Sequence, residues 1–434
     1  MSLETLGIVG IALLVILLFC RMPVAFVMAI LGFSGFALAR GDFSAGASLL
    51  ATDVFSEFSK YSLTVIPLFV FMGQVAFHAG ISRRLYDTAY VFLGHRKGGL
   101  AMATVGACAA FSAISGSTNA TAATMAVVTL PEMKRFGYDP GLATGTVAAG
   151  GSLGILIPPS VIFVVYGILT EQSIGKLFAS GIFPGIILTG LFLLTIYIRV
   201  SLNPNSAPAG PRTTLREKTA SFLGVLETLV IFALVIGGMF FGFFTPTEAA
   251  AVGAFLTLGM ALLRRQLTWQ GFIRSLADTV HISCMVMMIV MGAVLFGHFM
   301  TITRLPYSLA EWIANLSLPN FAVMAVIILV YLLGGLFMDS LAMIMLTVPI
   351  FFPVAMQLGF NPIWFGVIIV LVTEMGVITP PVGVNVYVVA GVARDVPLET
   401  IFKGALPMVV PLLLLCAILI AFPQVALFLP GMMR

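Results

Sequence analysis

Charge is what this sequence has least of. Only 9% of its 434 residues are Asp, Glu, Lys or Arg, against 60% apolar residues. An ordinary soluble domain draws about a quarter of its residues from those four types, so a water-covered surface of usual composition is excluded. Cysteine is scarcer still. Cys20, Cys108, Cys284 and Cys416 stand singly in apolar runs. That excludes a paired disulfide or thiolate framework and reads as buried apolar thiols. His78, His95, His281 and His298 show no metal-ligand spacing. Basic residues do not interleave with aromatics, which excludes nucleic acid as a partner. No GxSxG elbow or other catalytic constellation is present, so an enzyme is not expected. The first residues carry Glu4 and no Lys or Arg, unlike a cleavable leader.

What fills the chain is apolar. Runs such as 6–20, 24–39, 222–244 and 321–338 approach the ~20 residues a membrane-spanning helix needs. The chain is therefore expected to be an all-α integral membrane protein with the lipid bilayer as its solvent. Its 43 glycines and 23 prolines lie inside these runs as well as between them. Helix breakers are tolerated at membrane depth where the freed backbone groups face protein or a water-filled cavity.

The breakers repeat. Pro131, Gly137, Pro140, Gly154 and Pro158 recur 222 positions later as Pro353, Gly359, Pro362, Gly376 and Pro380. GYDP at 137–140 thus faces GFNP at 359–362, and IPPS at 157–160 faces TPPV at 379–382. Two repeats follow, 1–200 and 222–434. They are joined by a polar linker, 201–221, that contains NPNSAPAGPRTTLREK and cannot span a membrane. Charge then relates the repeats. Arg83, Arg84, Arg96, Lys97, Lys134 and Arg135 flank 98–133, whereas 305–393 holds no Lys or Arg. Short loops rich in Lys and Arg stay cytoplasmic. The two repeats are therefore inverted relative to one another, with both chain termini expected on the side opposite the cytoplasm. Lys176 and Arg304 run against that count.

Each repeat is read as carrying a re-entrant helical hairpin (98–134 and 320–357) and a broken spanning helix (140–169 and 362–391). The first hairpin turns at 115–119, the second at 334–340. A break leaves carbonyls that suit a hard cation and helix N-termini that suit an anion. Two breaks in register, each beside a polar turn, point to ion and substrate sites rather than to packing kinks. Asp339 stands where the first repeat has Ser117, and a carboxylate at membrane depth is functional by default. Glu374, opposite Ser152 in the repeat, is read either as a ligand or as an acid that only holds its helix. Glu248, in FTPTEAA, completes a helix capping box with Thr245.

Together the paired hairpins, the GxxIPPS and GxxTPPVG breaks, the SGS turn and FTPTEAA resemble the large membrane subunit of tripartite ATP-independent periplasmic (TRAP) transporters. The likeness runs over the whole chain. It implies an elevator-type carrier in the bacterial inner membrane that takes up small organic acids, such as C4-dicarboxylates or sialic acid, with sodium and no other cofactor. It also implies two separate partners, a small four-helix membrane subunit and a periplasmic substrate-binding protein. Transferred by position, sodium would be held by Ser115, Ser117, Gly151, Gly154 and Pro158 in one repeat. In the other it would be held by Gly335, Asp339, Thr373, Gly376 and Thr379. Substrate would meet Ser117, Asn119, Ser160, Asp339 and Asn385. Two alternatives stay open: a stand-alone carboxylate carrier of related fold that needs no binding protein, and, remotely, a membrane-embedded enzyme.

Overall fold

The structure, a computed structural model, describes residues 2–20, 22–315 and 319–433. The terminal residues Met1 and Arg434, whose sidedness the charges predict, lie outside them. Among the described residues the chain is helical, without strands. Eight helices there are long and apolar enough to cross a membrane, and five shorter apolar ones accompany them.

The first repeat opens with α1 (Leu3–Phe19), α2 (Val24–Arg40), α3 (Phe43–Phe58), α4 (Val65–His78) and α5 (Ile81–Leu93). Its hairpin is α6 (Gly99–Ser115) and α7 (Thr118–Arg135). Its broken helix is α8 (Pro140–Gly151), the short α9 (Leu153–Leu156) and α10 (Val161–Thr170), and α11 (Ile174–Leu202) closes it. The second repeat opens with α12 (Leu215–Phe240), α13 (Pro246–Leu263), α14 (Trp269–Thr303) and α15 (Leu305–Asn315). Its hairpin is α16 (Asn320–Gly335) and α17 (Ser340–Gln357), its broken helix α18 (Pro362–Gly376) and α19 (Val384–Val392). The chain finishes with α20 (Leu398–Ala405), α21 (Val409–Ala421) and α22 (Gln424–Met432).

The repeated motifs are helix starts. Gly137 and Gly359 take φ of 71° and 77°, which ends the preceding hairpin arm in a conformation glycine adopts without strain. Asp139 then caps α8, its carboxylate accepting from the Leu142 N–H at 2.8 Å. Asn361 caps α18, accepting from Ile363 N–H at 2.9 Å. Pro140 and Pro362 stand at first helical positions, where no N–H is needed. FTPTEAA does the same for α13: Thr245 accepts from the Glu248 N–H at 3.3 Å and Glu248 accepts from the Thr245 N–H at 2.8 Å.

Contacts between repeats show how they are related. The end of the first broken helix reaches the start of the second, where the Tyr166 hydroxyl donates to the Pro362 carbonyl at 2.6 Å. The end of the second reaches the base of the first hairpin, where Lys134 pairs with Asp395 at 2.5 Å. The two broken helices therefore run antiparallel, and the two hairpins enter from opposite ends. Around them, α2 and α14 pack side by side with ascending numbers in register. A Cβ on Gly292 would sit 2.5 Å from the Ala25 carbonyl, and one on Gly32 2.5 Å from the Leu295 backbone. Small residues allow this approach where lipid supplies no hydrophobic drive.

Two readings from sequence are corrected. Helix α3 is absent from the sequence reading, because Gly46, Ser48, Asp53 and Glu57 interrupt its apolar pattern. Asp53 and Glu57 are buried, and Asp53 faces His298 of α14 at 3.3 Å. Cys108 and Cys416 are buried, but Cys20 and Cys284 are exposed at the protein's surface. Helices in a bilayer turn apolar side chains outward, so an apolar run does not place a thiol in the core.

Candidate functional site

The site starts from the two hairpin turns. At the first, Gly116 takes φ of 61° and Ser117 caps α7, its Oγ accepting from the Ala120 N–H at 3.4 Å. The turn is only Gly116 and Ser117, shorter than the 115–119 expected, because Thr118 and Asn119 already belong to α7. Ser115 Oγ lies 2.7 Å from Thr121 Oγ1. At the second, the turn is 336–339 and Asp339 caps α17, its carboxylate accepting from the Leu341 N–H at 3.2 Å. The residues just after the two turns, Thr118 and Ser340, both donate to Glu374, so the two tips meet.

Each tip rests on the unwound stretch of its own repeat's broken helix. A Cβ on Gly154 would sit 2.5 Å from the Ser117 carbonyl oxygen, and one on Gly116 2.8 Å from the Pro159 oxygen. Val161 N–H donates to the Gly116 carbonyl at 3.3 Å. In the second repeat a Cβ on Gly376 would collide with the Gly335 backbone, and Val382 N–H donates to the Leu336 carbonyl at 3.3 Å. The bonds Pro158–Pro159 and Pro380–Pro381 are both cis. In the first repeat Ser115, Ser117, Gly151, Gly154 and Pro158 thus gather at one tip. Gly335, Thr373 and Gly376 gather at the other, with Asp339 and Thr379 at its edge. These are hydroxyl, carbonyl and carboxylate oxygens, the donors a hard cation takes. Thr373 donates its hydroxyl proton to the Val370 carbonyl at 2.8 Å and Thr379 to the Met375 carbonyl at 2.5 Å. Both side chains then have only lone pairs left to offer.

The breaks differ in exposure. Pro158 and Pro159 are buried, whereas Pro380 and Pro381 are exposed and Thr379 is partly so. Of the residues placed on substrate, Ser117, Asn119 and Asp339 are partly accessible at the meeting tips. Ser160 and Asn385 are enclosed. Ser160 caps α10 by accepting from the Phe163 N–H at 3.3 Å, and Asn385 donates to the Ala148 carbonyl at 3.1 Å, tying one broken helix to the other.

Charge in this region is one-sided. No Lys, Arg or His occurs in 98–133, 136–175 or 305–393, which hold both hairpin turns and both breaks; the first hairpin's Lys134 and Arg135 stand at its base. An anion bound here has no basic side chain to meet. Its stabilisation has to come from hydroxyls, amides, helix N-termini and bound cations. Glu374 is fully buried between the tips, accepting from Thr118 Oγ1 at 3.1 Å and from Ser340 Oγ at 2.7 Å. These bonds join it to the first residue of the inner arm of each hairpin. The 222-residue offset that pairs Asp339 with Ser117 also pairs Ser340 with Thr118, so the sequence already placed the two donors in register.

Comparison with known proteins gives the family and the fold. The family model described as "Tripartite ATP-independent periplasmic transporter, DctM component" matches residues 11–425. The C4-dicarboxylate TRAP transporter large permease protein DctM of Pseudomonas aeruginosa is 40% identical over 383 residues, covering 88% of this chain and 89% of that protein. The sialic acid TRAP transporter large permease protein SiaM of Vibrio cholerae serotype O1 is 35% identical over 416 residues, covering 95% and 96%. The crystal structure of the Alcanivorax borkumensis YdaH transporter superposes with a TM-score of 0.64 at 17% identity, over 88% of this chain and 90% of that one, which is likeness of fold.

Proposed function

The chain belongs to the DctM family of large membrane components of tripartite ATP-independent periplasmic transporters, and on that premise we propose that it carries a small organic acid into the cell in symport with sodium. It is a multi-pass membrane protein and a transporter subunit, not an enzyme. The relatives named for C4-dicarboxylates and for sialic acid share a carboxylate as the common chemistry of their substrates.

One observation supports the sodium reading: in each repeat a hairpin tip lies against the backbone oxygens of its broken helix, and no Lys, Arg or His occurs in 98–133, 136–175 or 305–393, the stretches that form both contacts. Sodium ions held at the breaks would supply the positive charge that an entering carboxylate lacks. Ser117, Asn119 and Asp339, accessible where the tips meet, are the residues assigned to substrate. Each tip rests on its own break, and Asn385, Glu374 and Tyr166 bind repeat to repeat. Both hairpins and both broken helices then travel as one body against α2, α4, α13 and α14, an elevator. The linker faces the cytoplasm of a bacterial inner membrane and both termini face the periplasm. A small four-helix membrane subunit braces the scaffold, and a periplasmic binding protein delivers the acid.

Proteoliposomes holding this chain with its small subunit, given the acid-loaded binding protein, should accumulate the acid when a sodium gradient is imposed. Uptake undiminished after sodium is replaced by potassium on both sides would refute the coupling. Uptake by this chain alone would refute the three-component assembly and favour a stand-alone carrier.

A further inference from the structure

Glu374 sits at a place the internal symmetry makes special. Its partners Thr118 and Ser340 are 222 positions apart and are the first residues of α7 and α17, the inner arms of the two hairpins. The position 222 before Glu374 is Ser152, which is also fully buried. Symmetric occupants of this place, two hydroxyls or two carboxylates, would leave donors unmatched or set like charges together. The actual pair puts one two-oxygen acceptor between two equivalent donors. Oε2 takes the Thr118 hydroxyl at 3.1 Å and Oε1 takes the Ser340 hydroxyl at 2.7 Å. All four residues are buried, so water cannot substitute for a lost partner.

We propose that Glu374 is a positioning residue that ties the two hairpin tips to each other, so that opening of either tip loosens both. This rests on the reading of both hairpins as one moving body for its meaning in transport, but the tie itself can be measured without sodium or substrate. Glu374 makes no ion pair among the described residues, and its two hydrogen-bond partners are hydroxyls, so the tie is a matter of acceptor geometry rather than of ion pairing.

The test is hydrogen exchange on the full chain in nanodiscs, free of sodium, read at 115–121 and 336–341. Ser340→Ala removes one bond from the second hairpin and should speed exchange at the first tip as well as at its own, by about tenfold for a buried hydrogen bond lost. Thr118→Val, of matching shape, should speed exchange at the second tip as well as at its own. Glu374→Leu should speed both tips. Glu374→Gln should stay close to wild type, because the amide oxygen accepts from one hydroxyl while its NH2 donates to the other, which turns round. Effects confined to the hairpin that carries the substitution would overturn the proposal. A Glu374→Gln chain as loose as Glu374→Leu would overturn it too, by showing that charge and not the pair of bonds matters. If Glu374→Leu does not fold, the two hydroxyl variants decide the question. Wild-type uptake that ignores sodium would sink the transport reading and leave the exchange comparison standing.

Discussion

Replacing Gly376 with alanine tests whether the second tip must rest on its break. The added Cβ would lie 2.6 Å from the Gly335 Cα and 2.7 Å from the Gly335 oxygen, where ordinary contact begins at 3.4 Å. The shortfall approaches 1 Å, and the obstruction is backbone, which no side-chain rotation relieves. Insertion of extra methyls into a packed core costs about 1–3 kcal/mol. A displacement of about 1 Å in a site that requires fixed geometry costs about 100-fold in rate. Gly376→Ala is therefore expected to lower the melting temperature modestly and to cut sodium-driven uptake in proteoliposomes by one to two orders of magnitude, roughly the range set by that displacement. Gly154→Ala should act in the same direction through the Ser117 carbonyl. The control is Gly224→Ala. A Cβ there meets nothing within 4 Å, and alanine in a helix interior is favoured over glycine by about 0.5–1 kcal/mol. It should melt no lower than wild type and transport normally. Wild-type uptake by Gly376→Ala would refute the contact between tip and break as a requirement for transport.

Other outcomes can be checked with less. Single cysteines at Ser206 and Phe243, in a chain stripped of native cysteines, should label from opposite sides, Ser206 from the cytoplasm and Phe243 from the periplasm. Labelling of both from one side would refute the orientation read from the charges. Asn385→Leu leaves the Ala148 carbonyl without its donor and should destabilise the protein by about 1–3 kcal/mol in thermal or denaturant melts. The Lys134 ammonium beside Asp395 holds that carboxyl below its usual range. A carboxylate depressed in the folded state stabilises above its unfolded pKa, near 4, and that contribution disappears as pH falls through the lower folded value. Asp395→Asn should remove this part of the acid-side decline of stability while leaving the neutral-pH profile of transport unchanged in shape.

Some of the protein was legible one residue at a time. Glycine and proline disfavour helix interiors, so the motifs at 137–140, 154–160, 359–362 and 376–382 announced caps and breaks at a fixed spacing, whereas Pro131 and Pro353, read with them as breakers, lie inside α7 and α17. Aliphatic runs announced the bilayer. Lys and Arg near the hairpin ends announced the inversion, because only charge carries information about sides. Helix α3 was not legible, since Asp53 and Glu57 look like loop residues until α14 brings His298 against Asp53. The accessible and enclosed members of the site were not legible either. Ser117 and Ser160 read alike in sequence, yet one stands at the meeting of the tips and the other is sealed beneath a cap.

The sequence by itself determined that this chain lives in a membrane, that it is built twice, and where each copy must break. Local chemistry suffices for those, because they follow from hydrogen-bond donors that proline lacks and from charges that lipid rejects. Which breaks and turns share a site was decided by tertiary structure. Thr118, Ser340 and Glu374 are separated by as many as 256 positions, and only the antiparallel docking of two inverted copies brings them to one point. There a carboxylate with two oxygens can answer a hydroxyl from each copy.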